Sequence, residues 1–273
     1  MIREFQNYLV AIKGYTQNTA VAYGKDLASF ARWMNTQAEP KRWSMVTRDD
    51  IDKYMEYLVE TDHKPATICR HLSSLQGIYN WFIRQQWMTE NPVRYESRPK
   101  IGQRVINTIP TGDLMEAIKT TQGEPGTILR LMTETGVRVQ EVLDIRAEDI
   151  IIKQRTLIVH GKGNKERKVY MSERLTTELY MLAKRRYGRI FALWTQRDIR
   201  RAMYDVLKNI SSARQLSPHA IRHTYATEMA KRGMVATTLQ KLLGHDSIKT
   251  TQRYIDAAQI EVEQQAREFA IIN

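Results

Sequence analysis

Two histidines and an arginine lie near the start of a predicted helix, in the segment 217–223 (Ser-Pro-His-Ala-Ile-Arg-His). Ser217 is a favoured N-cap residue and Pro218 suits the first helical position. His219 and Arg222 then lie three residues apart on one face of the first turn. A helix N-terminus with an added guanidinium is suited to binding a phosphate. On these residues alone, a surface helix with incidental charges is an equally good interpretation.

The same two histidines raise the question of a zinc site. His219 and His223 are four residues apart, but Ala220 stands where a zinc protease has its glutamate. No third ligand follows nearby, and Cys69 is the only cysteine. We therefore expect neither a metal nor another cofactor here.

A second group of candidates lies near the C-terminus. Gly244 suits the end of a helix and Ser247 the start of the next, so His245 is expected at an accessible corner between them. Tyr254 follows nine residues after His245, in a helix predicted over 248–255. A phenol can serve as a nucleophile. Taken singly, a loop histidine and a tyrosine packed in a core are the commoner interpretations.

Two more charged groups precede these segments. Arg138 follows a glycine turn at Gly136, and Glu141 stands three residues on, where its carboxylate could hold the guanidinium in one orientation. An ordinary helical ion pair worth roughly 0.2–0.5 kcal/mol is the alternative. Lys162 lies at a predicted hairpin tip, 161–164, which lacks the Gly-Lys-Ser/Thr ending of a nucleotide-binding loop. We expect no ATP site there, and a solvated charged turn remains an alternative.

The elements that must position these residues fall into two parts. Apolar residues recur at helical spacing over three ranges, 16–34, 49–58 and 66–84. We expect four helices in all, packed into a compact domain over residues 1–93. Residues 94–107 lose this periodicity and are basic, with proline and glycine, which is typical of a linker. A surface loop is the alternative for that stretch.

The second part, residues 108–273, is predicted to be mixed. Helical patterns occur near 113–120 and 126–134, and the chain is helical again after Ser172. Short β-branched runs predict a small antiparallel sheet with strands at 149–152, 156–160 and 168–171. Residues 259–273 carry an amphipathic pattern that predicts a C-terminal tail helix. The expected fold class is therefore mainly α with a small antiparallel β-sheet (α+β).

Composition limits the partners and the compartment. The 273 residues carry a formal net charge of +12, from 42 basic and 30 acidic side chains, and the excess is spread over both parts of the chain. Such an excess favours a nucleic-acid partner, with simple solubility as the alternative. No run of apolar residues is long enough for a membrane span, and residues 1–18 do not form a signal peptide. A single cysteine suits the reducing cytoplasm.

Taken together, the candidates resemble the tyrosine recombinase (phage integrase) family in their order and spacing. The flanking segments are similar beyond the candidate residues, notably Thr-Gly-Val-Arg, Gly-Lys-Gly-Asn-Lys-Glu-Arg, His-Ala-Ile-Arg-His-Thr-Tyr-Ala-Thr and Leu-Leu-Gly-His. The resemblance covers nearly the whole chain, and its compact length is similar to that of Xer-like and integron-type members. It implies a helical core-binding domain followed by a catalytic domain. The residues that match the family's catalytic motif are Arg138, Lys162, His219, Arg222, His245 and Tyr254.

The resemblance implies a specific reaction. Tyr254 would attack the scissile phosphate of duplex DNA, form a 3′-phosphotyrosyl bond and release a 5′-hydroxyl, with no need for ATP, a metal or a cofactor. Arg138 and Arg222 would bind the phosphate, and Lys162 would protonate the leaving oxygen. His219 would serve as a base for the tyrosine or as a donor to the phosphate. His245 would donate to a non-bridging oxygen, and Glu141 would orient its neighbours.

The resemblance also implies partners. The expected partner is double-stranded DNA, on which four copies would assemble into a tetrameric synaptic complex, with accessory DNA-bending or directionality factors in some systems. A type IB topoisomerase-like enzyme is one alternative, since it uses similar chemistry. A catalytically inactive DNA-binding relative is another, and the complete set of matching residues argues against it.

Overall fold

The computed structural model describes residues 1–93, 106–161 and 165–268, and for residues 260–268 it describes the helical backbone only. The chain divides into two compact units, residues 1–104 and 105–273. Each unit buries a hydrophobic core of its own. Most of the predicted linker, residues 94–105, lies outside the described residues.

The first unit is helical, as predicted. Its helices pack around a core rich in aromatic side chains, among them Phe5, Phe30, Tyr54 and Tyr79, all fully buried. Thr16 and Thr47 cap the starts of two of its helices, because their side chains accept from backbone N–H groups that have no partner within the helix. The helices are α1 (Ile2–Ala11), α2 (Gln17–Asn35), α3 (Arg48–Glu60) and α4 (Pro65–Arg84).

The second unit combines helices with a three-stranded antiparallel sheet of order β1-β2-β3. Leu157 and Val169 are paired across β2 and β3 and both are buried, so one face of the sheet joins the core. The strands are β1 (Ile150–Ile151), β2 (Thr156–His160) and β3 (Glu166–Tyr170). The helices are α5 (Thr111–Thr120), α6 (Gly123–Thr135), α7 (Val139–Asp144), α8 (Glu173–Ala183), α9 (Gln196–Leu207), α10 (Pro218–Lys231), α11 (Ala236–Leu243) and α12 (Ile248–Glu268).

This architecture confirms the predicted fold class, but several elements differ from the sequence interpretation. Helices α1 and α7 have no predicted range, and β3 begins two residues before the predicted strand 168–171 and ends one residue before its end. The first strand is only two residues long, because short 3₁₀ turns at Ala147–Asp149 and Ile152–Gln154 flank it. The predicted helix 248–255 and the first part of the predicted helix 259–273 form one uninterrupted helix, α12, because neither glycine nor proline stands between them. Residues 269–273 lie outside the described residues.

Within residues 1–93, 106–161 and 165–268, no helix has the length and apolar character that crossing a bilayer requires.

Candidate active site

Six of the seven predicted site residues lie in the described part of the second unit. Arg138 is the N-cap residue of α7, and His219 and Arg222 belong to the first turn and a half of α10. His245 follows Gly244 at the corner between α11 and α12, and Tyr254 is carried by α12. Lys162 lies outside the described residues, although the hairpin that carries it is formed by β2 and β3 as predicted.

The two arginines meet at the C-terminal end of α11. Arg138 donates from Nη1 to the carbonyl oxygen of Leu243 (3.2 Å) and from Nη2 to that of Gly244 (2.9 Å). Arg222 donates from Nη2 to the same Leu243 oxygen (2.6 Å) and from Nη1 to the carbonyl of Gly136 (2.5 Å). The last carbonyls of a helix carry partial negative charge, so this end of α11 holds both guanidinium groups together.

The arginines differ in depth. The side chain of Arg138 is 42% exposed, whereas Arg222 is 2% exposed and is the largest fully buried side chain among the described residues. Burial, with the charge of Arg138, lowers the pKa of Arg222 to about 9. The guanidinium therefore remains cationic at neutral pH. Two fixed positive charges at one helix end, one of them open to solvent, form a site for an anion.

Glu141 connects Arg138 to strand β3 of the sheet. Its carboxylate accepts from the backbone N–H of Arg138 (2.7 Å) and from Arg138 Nη1 (2.9 Å). It also accepts a bidentate pair from Arg167 (2.9 and 2.6 Å), whose Nε donates to the Leu242 carbonyl (2.7 Å). Burial opposes the charged form, but the hydrogen bonds and charges of Arg167 and Arg138 outweigh it and lower the pKa of Glu141.

Arg167 was quoted in the sequence interpretation only as the end of the hairpin segment, with no role assigned. Arg167 lies in β3, the strand that follows Lys162. It binds Glu141, which holds Arg138, and the Leu242 carbonyl at the C-terminal end of α11, so it connects the strand to both of these groups. Since Arg167 and Glu141 are 26 residues apart in the chain, no local spacing rule points to their pairing.

The ring of Tyr254 belongs to a small hydrophobic cluster between α10, α11 and α12. It packs with Tyr225, Leu239 and Leu243 and is 4% exposed. Its hydroxyl oxygen lies 2.7 Å from Nδ1 of His223. Burial raises the pKa of Tyr254, while the charges of Arg222, Arg253 and Arg138 partly oppose this. The phenol is therefore protonated at neutral pH.

Two histidines, His223 and His245, contact the tyrosine, and a third, His219, contacts His223. The rings of His219 and His223 form a T-shaped contact with centroids 4.3 Å apart, and the ring of His245 stacks toward Tyr254 at 6.2 Å. Nδ1 of His245 lies 3.0 Å from Oγ1 of Thr251. Desolvation, with the neighbouring arginine charges, lowers the pKa of all three, to about 4 for His223 and for His245. The imidazoles are therefore neutral at pH 7.

The partner of the tyrosine hydroxyl differs from the sequence interpretation. Sequence reasoning considered His219 as a base for Tyr254, but the hydroxyl is hydrogen-bonded to His223, which was examined only as a zinc ligand. His223 lies one turn beyond His219 on α10, so the same face of the helix carries both. Within the described ranges, no group of three or more His, Cys, Asp or Glu side chains is placed to hold a metal.

Such a site, with paired arginines, neutral histidines and a buried tyrosine, is typical of a protein that binds an anion such as a phosphate. Comparison with known proteins identifies the family. Residues 110–261 match the phage integrase family, and residues 2–86 match the phage integrase N-terminal SAM-like domain. The chain belongs to the phage integrase family and is a tyrosine recombinase, an enzyme of site-specific DNA recombination. This confirms the family prediction.

Curated relatives agree with this assignment, and solved structures share the fold. Tyrosine recombinase XerC of Listeria welshimeri is 31% identical over 92% of this chain and 91% of its own length, and XerC of Bacillus pumilus is 30% identical over 93% and 90%. XerH recombinase bound to its palindromic difH substrate has a TM-score of 0.80 at 14% identity, over 97% of this chain and 84% of that one. The Tn1549 transposon integrase with transposon right end DNA has a TM-score of 0.73 at 18% identity, over 97% and 99%.

Proposed function

We propose that this recombinase cleaves and rejoins duplex DNA through a 3′-phosphotyrosyl bond formed by Tyr254. The observation that carries the proposal is one tyrosine whose hydroxyl is hydrogen-bonded to a neutral histidine, His223, and whose pKa responds to the charges of Arg138 and Arg222. His245 contacts the tyrosine ring, and His219 contacts His223. A phosphodiester bears one negative charge, and attack concentrates more charge on its non-bridging oxygens. The two guanidinium groups are permanently charged planar donors that can bind both of these oxygens.

The remaining residues have roles that follow from their protonation. A neutral imidazole has one N–H to donate. We assign His245 as a donor to the phosphate, because its Nδ1 is already engaged with Thr251 and its Nε2 is left for a ligand. We assign His219 the same role. Lys162 is assigned as the general acid that protonates the leaving 5′-oxygen, a contribution of roughly 10²–10⁴ in rate. Glu141 positions Arg138.

The partner we propose is double-stranded DNA, with four copies assembled in a synaptic complex and with accessory DNA-bending or directionality factors in some reactions. The net charge of +12 supports a polyanionic partner. Similar solved structures include recombinases bound to DNA, among them XerH on its palindromic difH substrate and a λ integrase dimer on a core site. A single cysteine, Cys69, supports action in the reducing cytoplasm.

Covalent trapping tests the proposal. Duplex sites selected from a random library by binding to the protein would be nicked next to the cleavage position, so that the released fragment diffuses away and the protein stays attached. We expect a detergent-resistant adduct with the natural protein, none with Tyr254→Phe, and unchanged DNA binding by that variant. Tyr204→Phe is a matched control, since Tyr204 is 53% exposed on α9. An adduct that persists in Tyr254→Phe would reassign the nucleophile.

A further inference from the structure

We propose that His223 accepts the phenolic proton of Tyr254 when the tyrosine attacks DNA, and returns that proton when the strand is rejoined. The proposal rests on the proposed function, because it takes Tyr254 as the nucleophile. It gives the proton a defined destination, which neither Lys162 nor the arginines provide if they act on the phosphate and the leaving oxygen.

Geometry selects His223 among the three histidines. Its Nδ1 lies 2.7 Å from the tyrosine hydroxyl, within the usual range for a proton transfer between heavy atoms. His245 commits its Nδ1 to Thr251 and presents its ring to the tyrosine by stacking. His219 contacts the ring of His223, with the ring centroids 4.3 Å apart. With its own proton on Nε2, His223 directs the Nδ1 lone pair at the hydroxyl.

Burial and the surrounding charges keep the imidazole of His223 neutral before it accepts the proton. The groups that act on His223 are His219 and Arg222 from α10 and Arg253 from α12, and His245 lies nearby at the corner before α12. Burial and these neighbours lower the pKa of His223 to about 4, so the imidazole is free to accept a proton at neutral pH.

The same surroundings keep the tyrosine protonated in the absence of DNA. The pKa of Tyr254 is raised while that of His223 is lowered, so the proton stays on the phenol. A DNA phosphate placed against Arg222 would offset a charge that lowers the pKa of both groups, so it would raise the proton affinity of His223 and of the phenolate together. Proton transfer is therefore expected during attack on the phosphate and not before it.

The step is balanced. The bond between Tyr254 Oη and phosphorus forms as the bond from phosphorus to the 5′-oxygen breaks. The tyrosine proton moves to His223 Nδ1, and the leaving oxygen takes a proton from Lys162. On rejoining, the 5′-hydroxyl attacks the phosphotyrosine, its proton returns to Lys162, and His223 protonates the departing tyrosine.

Two substitutions separate proton acceptance from positioning. The amide oxygen of asparagine can occupy the place of Nδ1 and accept a hydrogen bond from the tyrosine, but it cannot take the proton. We therefore expect His223→Asn and His223→Ala both to slow single-turnover cleavage of the nicked duplex by about 10²–10⁴. Added imidazole should restore part of the rate of His223→Ala. Binding of the duplex should change little, and His63→Asn, an exposed position in the first unit, serves as the control.

The pH dependence supplies a second measurement. Between about pH 6 and 8 the natural protein should cleave at a nearly constant rate, because His223 is already deprotonated there. His223→Asn should gain about tenfold per pH unit, because only the phenolate then reacts. A natural-protein rate that itself rises tenfold per unit would overturn the proposal without reference to any variant.

Other outcomes are equally decisive. Near-normal cleavage by His223→Asn would show that the histidine only positions the tyrosine, and faster cleavage by either variant would show that it restrains the tyrosine. Each result overturns the proposal. An adduct in Tyr254→Phe would instead refute the nucleophile assignment, so the two failures are distinguishable.

Discussion

At the scale of single residues, the site is organised by one buried carboxylate. Glu141 is 6% exposed and pairs with two arginines, Arg138 and Arg167, that face it from different elements. A buried carboxylate is stable only when its oxygens are fully paired, and removing one member of such a set leaves the others uncompensated. The orientation of Arg138 toward an incoming phosphate therefore depends on a residue that does not face the phosphate itself.

This pairing predicts a pH-dependent loss of stability in Glu141→Gln. The pKa of Glu141 is lowered in the folded protein, so its charge stabilises the fold above the ordinary value of 4.5 and the contribution is lost as the pH falls through the folded value. We expect a loss of about 3–5 kcal/mol at pH 7. Urea unfolding at several pH values should show the difference from the natural protein shrinking below pH 4.5.

A control and a contrary result complete this test. Glu148→Gln removes an acid that is 65% exposed and pairs with Arg146 at 3.6 Å, so it should change the free energy of unfolding by less than about 1 kcal/mol. If Glu141→Gln behaves like this control, or if its loss grows at acid pH, the buried pair does not stabilise the fold as described.

Residue spacing explains which contacts were predictable. Arg138 and Glu141 pair over three residues, so a local rule finds them. His223 and Tyr254 are 31 residues apart, and their hydrogen bond depends on how α10 packs against α12. Motif order identified the family and its catalytic candidates, whose roles stay predictions. Only the packing reveals that His223 and Arg167 contact these candidates.

At the scale of elements, the turn between α6 and α7 fixes both arginines. Gly136 ends α6 with a φ of +62°, a conformation that glycine adopts without strain. A Cβ at this position would collide with the ring of Tyr225. The Gly136 carbonyl accepts from Arg222, and Arg138 follows two residues later. Gly136 therefore has three roles: it adopts the left-handed backbone conformation, it leaves room for the ring of Tyr225, and its carbonyl orients the guanidinium of Arg222.

Gly136→Ala should consequently cost more than an alanine at an open left-handed glycine. Gly233, with a φ of +86° and no atom near the added Cβ, is the matched control. We expect Gly233→Ala to lose about 1 kcal/mol from strain, and Gly136→Ala to lose about 1–3 kcal/mol more because the core is overpacked.

Cleavage should separate these two variants as well. Gly136→Ala should cleave the nicked duplex at least about tenfold more slowly, because a 1.4 kcal/mol change in transition-state binding has that effect. Gly233→Ala should cleave normally. Chemical denaturation and single-turnover rates measure the two effects, and equal losses in both variants would contradict the packing argument.

The elements also show where sequence periodicity is sufficient. Strand β2 was predicted at its observed bounds because its β-branched run is uninterrupted, and α4 was predicted within one residue because Pro65 marks its start. The strand before β2 was predicted too long, since Asp149 instead accepts from the Arg146 backbone N–H (2.8 Å) and closes a turn. Such side-chain caps compete with strand pairing, and apolar patterning does not detect them.

At the scale of the whole molecule, the chain joins two units with separate cores, and the catalytic candidates of the described residues all lie in the second. Residues 2–86 and 110–261 match two different domains of one family. The predicted boundaries at residues 93 and 108 stay predictions. Because the basic excess is spread over both units, we expect both to contribute phosphate contacts and DNA binding to weaken steeply with salt.

One helix carries both the tyrosine and the start of the predicted C-terminal tail. Tyr254 and residues 259–268 belong to the same uninterrupted helix, α12. Sequence periodicity places Val262, Ala266, Phe269 and Ala270 on one apolar face of the tail. If that face packs against a neighbouring copy on DNA, a shift of the tail is transmitted directly to the tyrosine, because an α-helix moves as a rigid element. Packing of the same face on its own catalytic unit is the competing arrangement.

Deletion of residues 259–273 distinguishes these arrangements. Tyr254 and the buried Ala258 remain in the truncated chain, so the hydrophobic cluster around the tyrosine keeps its described members. If the tail docks on a neighbour, single-site DNA binding should stay within a few-fold of the natural value while cooperative binding and recombination are lost. Size-exclusion chromatography with light scattering on two-site DNA measures assembly. A truncated protein that still forms tetramers would refute docking, and one that unfolds would show that the tail packs on its own unit.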